Sequence, residues 1–164
     1  QFPITNGYIT NIVAGDSYSV IRGGFDGVGP YQGSGAVINS VTGAHDTAYP
    51  IFHFGSGDII SDGSGGWYIT SFSDINGEPT GIPVHIKADK TIDENMFPKA
   101  NGTVSLLALD GNTLYIAGSF TQIDGTPRNR LAAFDITTRT LLPWDTGINS
   151  INFLDKLTVS GGIV

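Results

Sequence analysis

Two stretches of this chain are near copies of one another. Residues 62–79 read DGSGGWYITSFSDINGEP, and residues 110–127 read DGNTLYIAGSFTQIDGTP. Asp62 aligns with Asp110, Phe72 with Phe120, Ile75 with Ile123, Gly77 with Gly125 and Pro79 with Pro127, 48 residues apart in each case. Tyr68 falls opposite Ile116 or Tyr115. A repeat of that period demands an architecture in which one supersecondary unit is stacked on, or arrayed around, copies of itself. It also makes most aromatic and glycine positions structural, because each unit must bury the same face against its neighbour.

The periodicity runs on in both directions. Residues 19–25 read SVIRGGF, with Phe25 47 residues before Phe72. Residues 157–163, LTVSGGI, follow the pattern of residues 114–120, LYIAGSF. The units close alike, at Tyr49-Pro50, Phe97-Pro98 and Pro143-Trp144. The chain thus divides into a leading strand or linker at 1–8, units at 9–54, 55–102 and 103–149, and the opening of a fourth unit at 150–164.

Strand candidates recur at 9–14, 18–24, 35–40, 57–61, 66–72, 82–88, 103–109, 113–119, 131–136, 140–143, 150–154 and 157–162. They are rich in β-branched and aromatic residues. Between them stand Asp62-Gly63, Asn76-Gly77, Asn101-Gly102, Asp110-Gly111 and Asp124-Gly125, dipeptides that supply the positive φ of tight hairpins. No stretch of helical length has a 3.6-residue period, so helix content should be small. In the third unit the strands 103–109, 113–119, 131–136 and 140–143 are joined by Asp110-Gly111-Asn112, the loop 120–130 and Thr137-Thr138-Arg139. Four antiparallel strands in such a period is the size of a propeller blade.

Composition bounds the partners. The chain is 40% apolar and 14% charged with 23 glycines, enough apolar surface for a core and too much for disorder. A formal charge of −7 with no basic run repels phosphate backbones, so no nucleic-acid partner is expected. Cysteine is absent, which removes disulfides and cysteine-ligated metals. No apolar run reaches the roughly 18 residues of a membrane-spanning helix. A chain that begins Gln1-Phe2-Pro3 matches the product of signal-peptide removal, and equally a boundary inside a longer protein.

Residues 103–149 carry Gly118-Ser119-Phe120, Gly125, Arg128-Asn129-Arg130 and Leu131-Ala132-Ala133-Phe134-Asp135 in order. This resembles one repeat of the bacterial β-propeller family often called delta-60 repeats. The likeness is weaker over 55–102, where Thr80-Gly81-Ile82 replaces Arg-Asn-Arg. It is weaker again over 9–54, with Gly29-Pro30-Tyr31-Gln32-Gly33 in the loop. The resemblance implies an all-β propeller segment of four-stranded antiparallel blades, exported or surface-exposed, with no catalytic residue; no cofactor is expected. It implies structural roles for Phe25, Phe72, Phe120, Gly77 and Gly125. Arg128, Asn129 and Arg130 would organise the blade, since an arginine fork can satisfy several carbonyls at once. Typical propellers have about four to eight blades. The expectation is therefore part of a larger ring, in which residues 1–8 could complete the last blade.

Other motifs are weaker. His45, His53 and His85 lack metal-site spacing, and Asp74–Glu78 lacks that of a calcium loop. Asp62 and Trp67 are spaced as in the Asp-box of sialidase propellers. Ile60 and Ser64 stand where its serine and glycine belong, and Arg22 is the one arginine of the first two units. Trp144-Asp145 lacks the Gly-His partner of a WD repeat. Tyr31, Tyr49, Phe52, Phe54 and Trp67 are dense enough to form a platform for a sugar or a protein hot spot, although in a propeller most lie between blades. Asn101-Gly102-Thr103 is an N-glycosylation sequon, meaningful in a eukaryotic secretory setting. Asp46-Thr47-Ala48 resembles the O-glycosylation motif of exported Bacteroidota proteins. It makes Thr47 a candidate modification site and points to the type 9 secretion machinery.

The function expected is a non-catalytic exported or cell-surface interaction and adhesion module, with a protein or glycan partner on a loop rim. One rival is a structural repeat of a fibre, phage appendage or surface layer. Another is a propeller-type polysaccharide hydrolase or lyase, which would need titratable residues gathered around a central channel.

Overall fold

The computed structural model describes residues 6–25, 27–28, 31–32, 34–50, 52–54, 57–70, 72–75, 83–93, 96, 99–148 and 154–164; for 27–28, 31–32, 52–54 and 72–75 it describes backbone pairing alone. Among them every regular element is a strand, and every ladder is antiparallel. The first unit holds β1 (Tyr8–Ala14), β2 (Tyr18–Gly24), the short pair β3 (Gly27–Val28) and β4 (Tyr31–Gln32), and β5 (Gly35–Asn39). Next come β6 (Phe52–Phe54) and the second unit: β7 (Ile59–Ser61), β8 (Trp67–Ile69), β9 (Phe72–Ile75), β10 (Val84–Ile86) and β11 (Ile92–Asp93). The third has β12 (Val104–Asp110), β13 (Thr113–Gly118), the small hairpin β14 (Gln122–Ile123) and β15 (Thr126–Pro127), β16 (Leu131–Asp135) and β17 (Thr140–Leu141). The sheet orders are β7-β8-β10-β11 and β12-β13-β16-β17, while β1-β2-β5 is extended by β6 and then β9.

The repeat is written in backbone register. Ile9 pairs with Gly23 as Val104 pairs with Gly118, and a bulge follows in both, at Thr10 and Ser105. Asn11↔Arg22, Ile12↔Ile21 and Val13↔Val20 then match Leu106↔Ala117, Leu107↔Ile116 and Ala108↔Tyr115. In the second unit Ile60 pairs with Tyr68, so the counterpart of Tyr68 is Tyr115 rather than Ile116. The turn at 62–66 is one residue longer than that at 110–113, and the run from Trp67 to Phe72 is one residue shorter than that from Leu114 to Phe120. The two changes cancel, which restores the 48-residue spacing at the phenylalanines.

Turns repeat too. The Asn39 side-chain oxygen accepts from the amides of Val41 and Thr42, as that of Asp135 accepts from Thr137 and Thr138. These short polar side chains hold the turn into the fourth strand in place of backbone. In all three units the turn into the fourth strand ends on a left-handed residue: Gly43 at φ 69°, Lys90 at 73° and Arg139 at 59°. In the first unit the fourth strand shrinks to a single bridge between Ile38 and His45.

One face of each unit packs on the opposite face of the next. Val20, Val37 and Tyr49 meet Ile59, Trp67, Ile69, Val84 and Ile86; Tyr68 and Met96 meet Leu107, Leu114, Ile116, Ala132 and Phe134. The first strands β1, β7 and β12 lie side by side in chain order.

Several expectations change. The strand expected at 157–162 is absent: residues 154–159 carry no ladder, and one bridge joins Ser160 to Ile163 across Gly161-Gly162. A strand needs a partner for its amides and carbonyls. The partner expected at 150–154 lies, apart from Leu154, outside the described residues. Leu157 and Val159 instead cover Tyr115. Tyr49 and Trp67 are not an exposed platform; they are 5% and 2% exposed, between the first two units. Tyr31, Phe52, Phe54 and Phe72 lie on strands whose side chains are outside the description, and Gly77 lies outside the described residues.

Candidate functional site at the unit junctions

The same two repeat positions carry an ion pair at successive junctions. Asp46 follows His45, the fourth-strand residue that bridges to Ile38; Asp93 follows Ile92, which pairs with Ile86. Lys90 and Arg139 are the left-handed residues that end the turns of the following units. Lys90 Nζ donates to Asp46 Oδ2 at 2.7 Å. Arg139 grips Asp93 with both Nη atoms, at 3.2 and 2.7 Å. At the next junction the acid's place is taken by Leu142, whose amide bonds the Ala133 carbonyl as that of Asp46 bonds Val37. Leu142 packs with Tyr115 and Trp144 instead, so that contact is apolar.

The first pair stands over aromatic rings. Lys90 Nζ lies 5.8 Å from the Tyr18 centroid and 5.4 Å from that of Tyr49, and the two rings meet edge to face at 5.9 Å. Burial works to raise the Asp46 carboxyl. The Lys90 ammonium, the Ala48 amide and the Tyr18 hydroxyl outweigh it and hold the group below the usual range.

The second junction is denser. His85 stacks on Tyr68 with centroids 4.5 Å apart, and its Nε2 meets Asp62 Oδ2 at 2.9 Å. Its Nδ1 lies 4.0 Å from Asp93 Oδ2, too far for a hydrogen bond. Asp62 Oδ1 accepts from the amides of Ser64 and Gly66, which makes this aspartate both the organiser of its turn and the anchor of His85. Burial pushes its carboxyl up, but His85 and the two amides prevail and hold it below the usual range. Burial, with the charges of Asp62 and Asp93, pushes the Tyr68 hydroxyl up to about 12. Asp62, His85, Asp93 and Arg139 thus stand in a row, and its last pair ties one sheet to the next.

Between the first and second units the β1–β2, β7–β8 and β10–β11 turns border a cleft of about 360 Å³. Asp16, Ser17, Ser64, Tyr18, Tyr49 and Trp67 line it. Its rim is polar turn and its floor is buried aromatic, a lining suited to an amphipathic ligand.

The residues singled out by sequence scatter. Phe25 and Phe120 are buried, 3% and 0% exposed. Gly125, at φ 77°, follows Asp124 in the β14–β15 turn. Arg128 donates to the carbonyls of Pro127 and Leu142, at 2.7 and 3.0 Å, and the Asn129 carbonyl accepts from the Leu131 amide. Arg130, left-handed at φ 66°, lines a separate cleft with Ser105, Ser119 and Leu154. Thr47 is exposed in the turn beside Asp46. Asn101 spends its side chain on Thr121 and Gln122, receiving both amides and donating to the Thr121 hydroxyl. Among the described residues no three His, Cys, Asp or Glu side chains gather as a metal site.

The junction pairs escaped the sequence reading. Their signal was a charge at one repeat position answered by the opposite charge at another, one unit on. No family model matches the sequence, and no curated protein matches it.

Proposed function

We propose that the chain is a non-catalytic, exported or cell-surface interaction and adhesion module, built as an arc of a β-propeller with four-stranded blades of the delta-60 type. The adjacency of β1, β7 and β12 supports the radial arrangement, since the first strands of successive blades line a propeller's axis. The observation that carries the binding role is the cleft bordered by turns of two units. A scaffold clamped at its junctions holds such turns in fixed relative positions, as recognition requires. The acidic surface directs the partner towards a protein or a neutral glycan. Export by the type 9 route, with Thr47 as a glycosylation site, belongs to the same reading.

The test is binding of the purified chain to glycan and protein arrays, repeated with Asp16→Arg and Ser17→Arg, both on turn residues. Loss of a specific signal in these variants, with unchanged thermal stability, is the expected result. Binding that ignores both substitutions would move the partner off this rim.

One observation favours the fibre or surface-layer reading as second. Ile12 is 61% exposed on the outer face of the first unit, where its counterpart Leu107 is 2% exposed. Assemblies that grow with concentration, measured by light scattering after size exclusion, would favour that reading.

A further inference from the structure

Arg22 interrupts the repeat at a position that the other units fill with small side chains. It pairs with Asn11 as Ala117 pairs with Leu106, and Thr70 occupies the same place through its amide bond to the Asp58 carbonyl at 2.9 Å. Thr70 and Ala117 are both 0% exposed. Thr70 also has structural work there: its hydroxyl accepts from the Asp58 amide at 2.7 Å and donates towards the Ser105 carbonyl of the next unit at 3.2 Å. Arg22 Nη1 is closed off from solvent and has no hydrogen-bond partner. Arg128, by comparison, donates with both Nη atoms to backbone carbonyls and leaves only its Nε without a partner.

Arg22 lines a cleft of about 460 Å³ with Gly57 and Asp58 of the second unit, Ser105 of the third, and Asp155 and Lys156 beyond it. The cleft therefore lies beside the first strands β7 and β12 of the second and third units. Its polarity is uneven in what remains free. Asp58 is committed to backbone, accepting from Ile59 at 2.9 Å and from Leu107 at 3.2 Å. At the mouth stand the Arg22 side chain, of which Nη1 has no partner, the exposed Lys156 ammonium and the exposed Asp155.

We propose that this cleft binds a small carboxylate-bearing ligand, with Arg22 as its anchor and Lys156 as a second cation. A guanidinium presents a planar fork that matches a carboxylate, and the Arg22 side chain lines the cleft together with Lys156. A monoanion is favoured over a phosphate dianion because the whole chain carries −7. The volume falls within the range of small-molecule sites, about 300–1,000 Å³. A sugar acid and a simple organic acid offer the same group. The site is separate from the turn-lined rim, so its failure would leave the interaction-module reading standing.

The experiment is thermal unfolding and calorimetric titration with sodium acetate and sodium glucuronate, against sodium chloride at equal ionic strength and against glucose. Wild type should show saturable stabilisation by a carboxylate and none by chloride or glucose. A response to both salts would mean that the carboxylate suffices, and a response to glucuronate alone would mark a sugar acid. Arg22→Ala should fold with a wild-type midpoint, because Ala117 fills the same place, and should bind at least about tenfold more weakly. Arg22→Lys should fall between the two, and Lys156→Ala should weaken binding several-fold with no change in stability. No saturable response in wild type would overturn the proposal, as would an Arg22→Ala variant that binds normally. An Arg22→Ala variant too unstable to fold would make Arg22 part of the scaffold and overturn it as well.

Discussion

At Gly23 a methyl group would stand 2.0 Å from the Tyr8 carbonyl oxygen, and at Gly118 it would stand 1.9 Å from that of Thr103. Each glycine sits opposite the residue that precedes the bulge in its unit, where the neighbouring strand crosses too close for a Cβ. Gly118→Ala should therefore cost about 3 kcal/mol or more, at the high end for a single substitution. Gly111→Ala meets nothing within 4 Å and suffers only from φ 55°, so it should cost about 1–2 kcal/mol. Urea unfolding of the two variants separates close approach from backbone conformation, and equal costs would refute the crowding argument. Charged side chains behave differently. Arg139 is 48% exposed, so Arg139→Ala should cost within about 1 kcal/mol, and less in high salt.

Strands and turns in this chain are joined by carboxylates with depressed titration. Asp46 and Asp62 both lie below the usual carboxylate range in the folded protein. Their stabilisation is fully present above the unfolded-state value and is lost as pH falls through the folded one. Stability should thus hold through neutrality and fall on acidification below about pH 4. Asp62→Asn should flatten part of that fall, as measured by urea unfolding across a pH series. Tyr68 has the opposite sign. Its folded value of about 12 exceeds the ordinary tyrosine value, so stability is lost as pH rises from that ordinary value towards 12. Burial raises the Tyr49 hydroxyl as well, so ultraviolet titration should show more than one late-ionising phenol, and the one titrating near 12 should disappear in Tyr68→Phe.

For the whole molecule the question is which sheet faces have neighbours. Ile12 and Leu107 share one repeat position, but Leu107 is buried by the second unit and Ile12 is 61% exposed. Leu107→Ala should cost about 2–5 kcal/mol and Ile12→Ala less than about 1 kcal/mol. If Ile12→Ala instead costs as much, and by an amount that depends on concentration, that face is covered by another chain.

Much of this architecture is legible in local letters. The all-β class follows from β-branched runs cut by Asp-Gly and Asn-Gly. Asp110-Gly111 and Asp124-Gly125 do form turns with left-handed glycines, because turn energies depend on adjacent residues alone. The 48-residue spacing likewise announces the stacked units before any contact is known. Letters could not choose between Ile116 and Tyr115 opposite Tyr68, since an insertion cancelled by a deletion leaves the spacing intact, and only ladder register tells them apart. Nor could they show that residues 157–162 lack a ladder, for strand propensity does not supply a partner. The pairs Asp46–Lys90 and Asp93–Arg139 span 44 and 46 residues, and Arg22 meets Lys156 at one cleft across most of the chain. Such meetings are decided by how sheets pack face on face, because a charge at a repeat position acquires a partner only when the next unit brings one within a few ångströms.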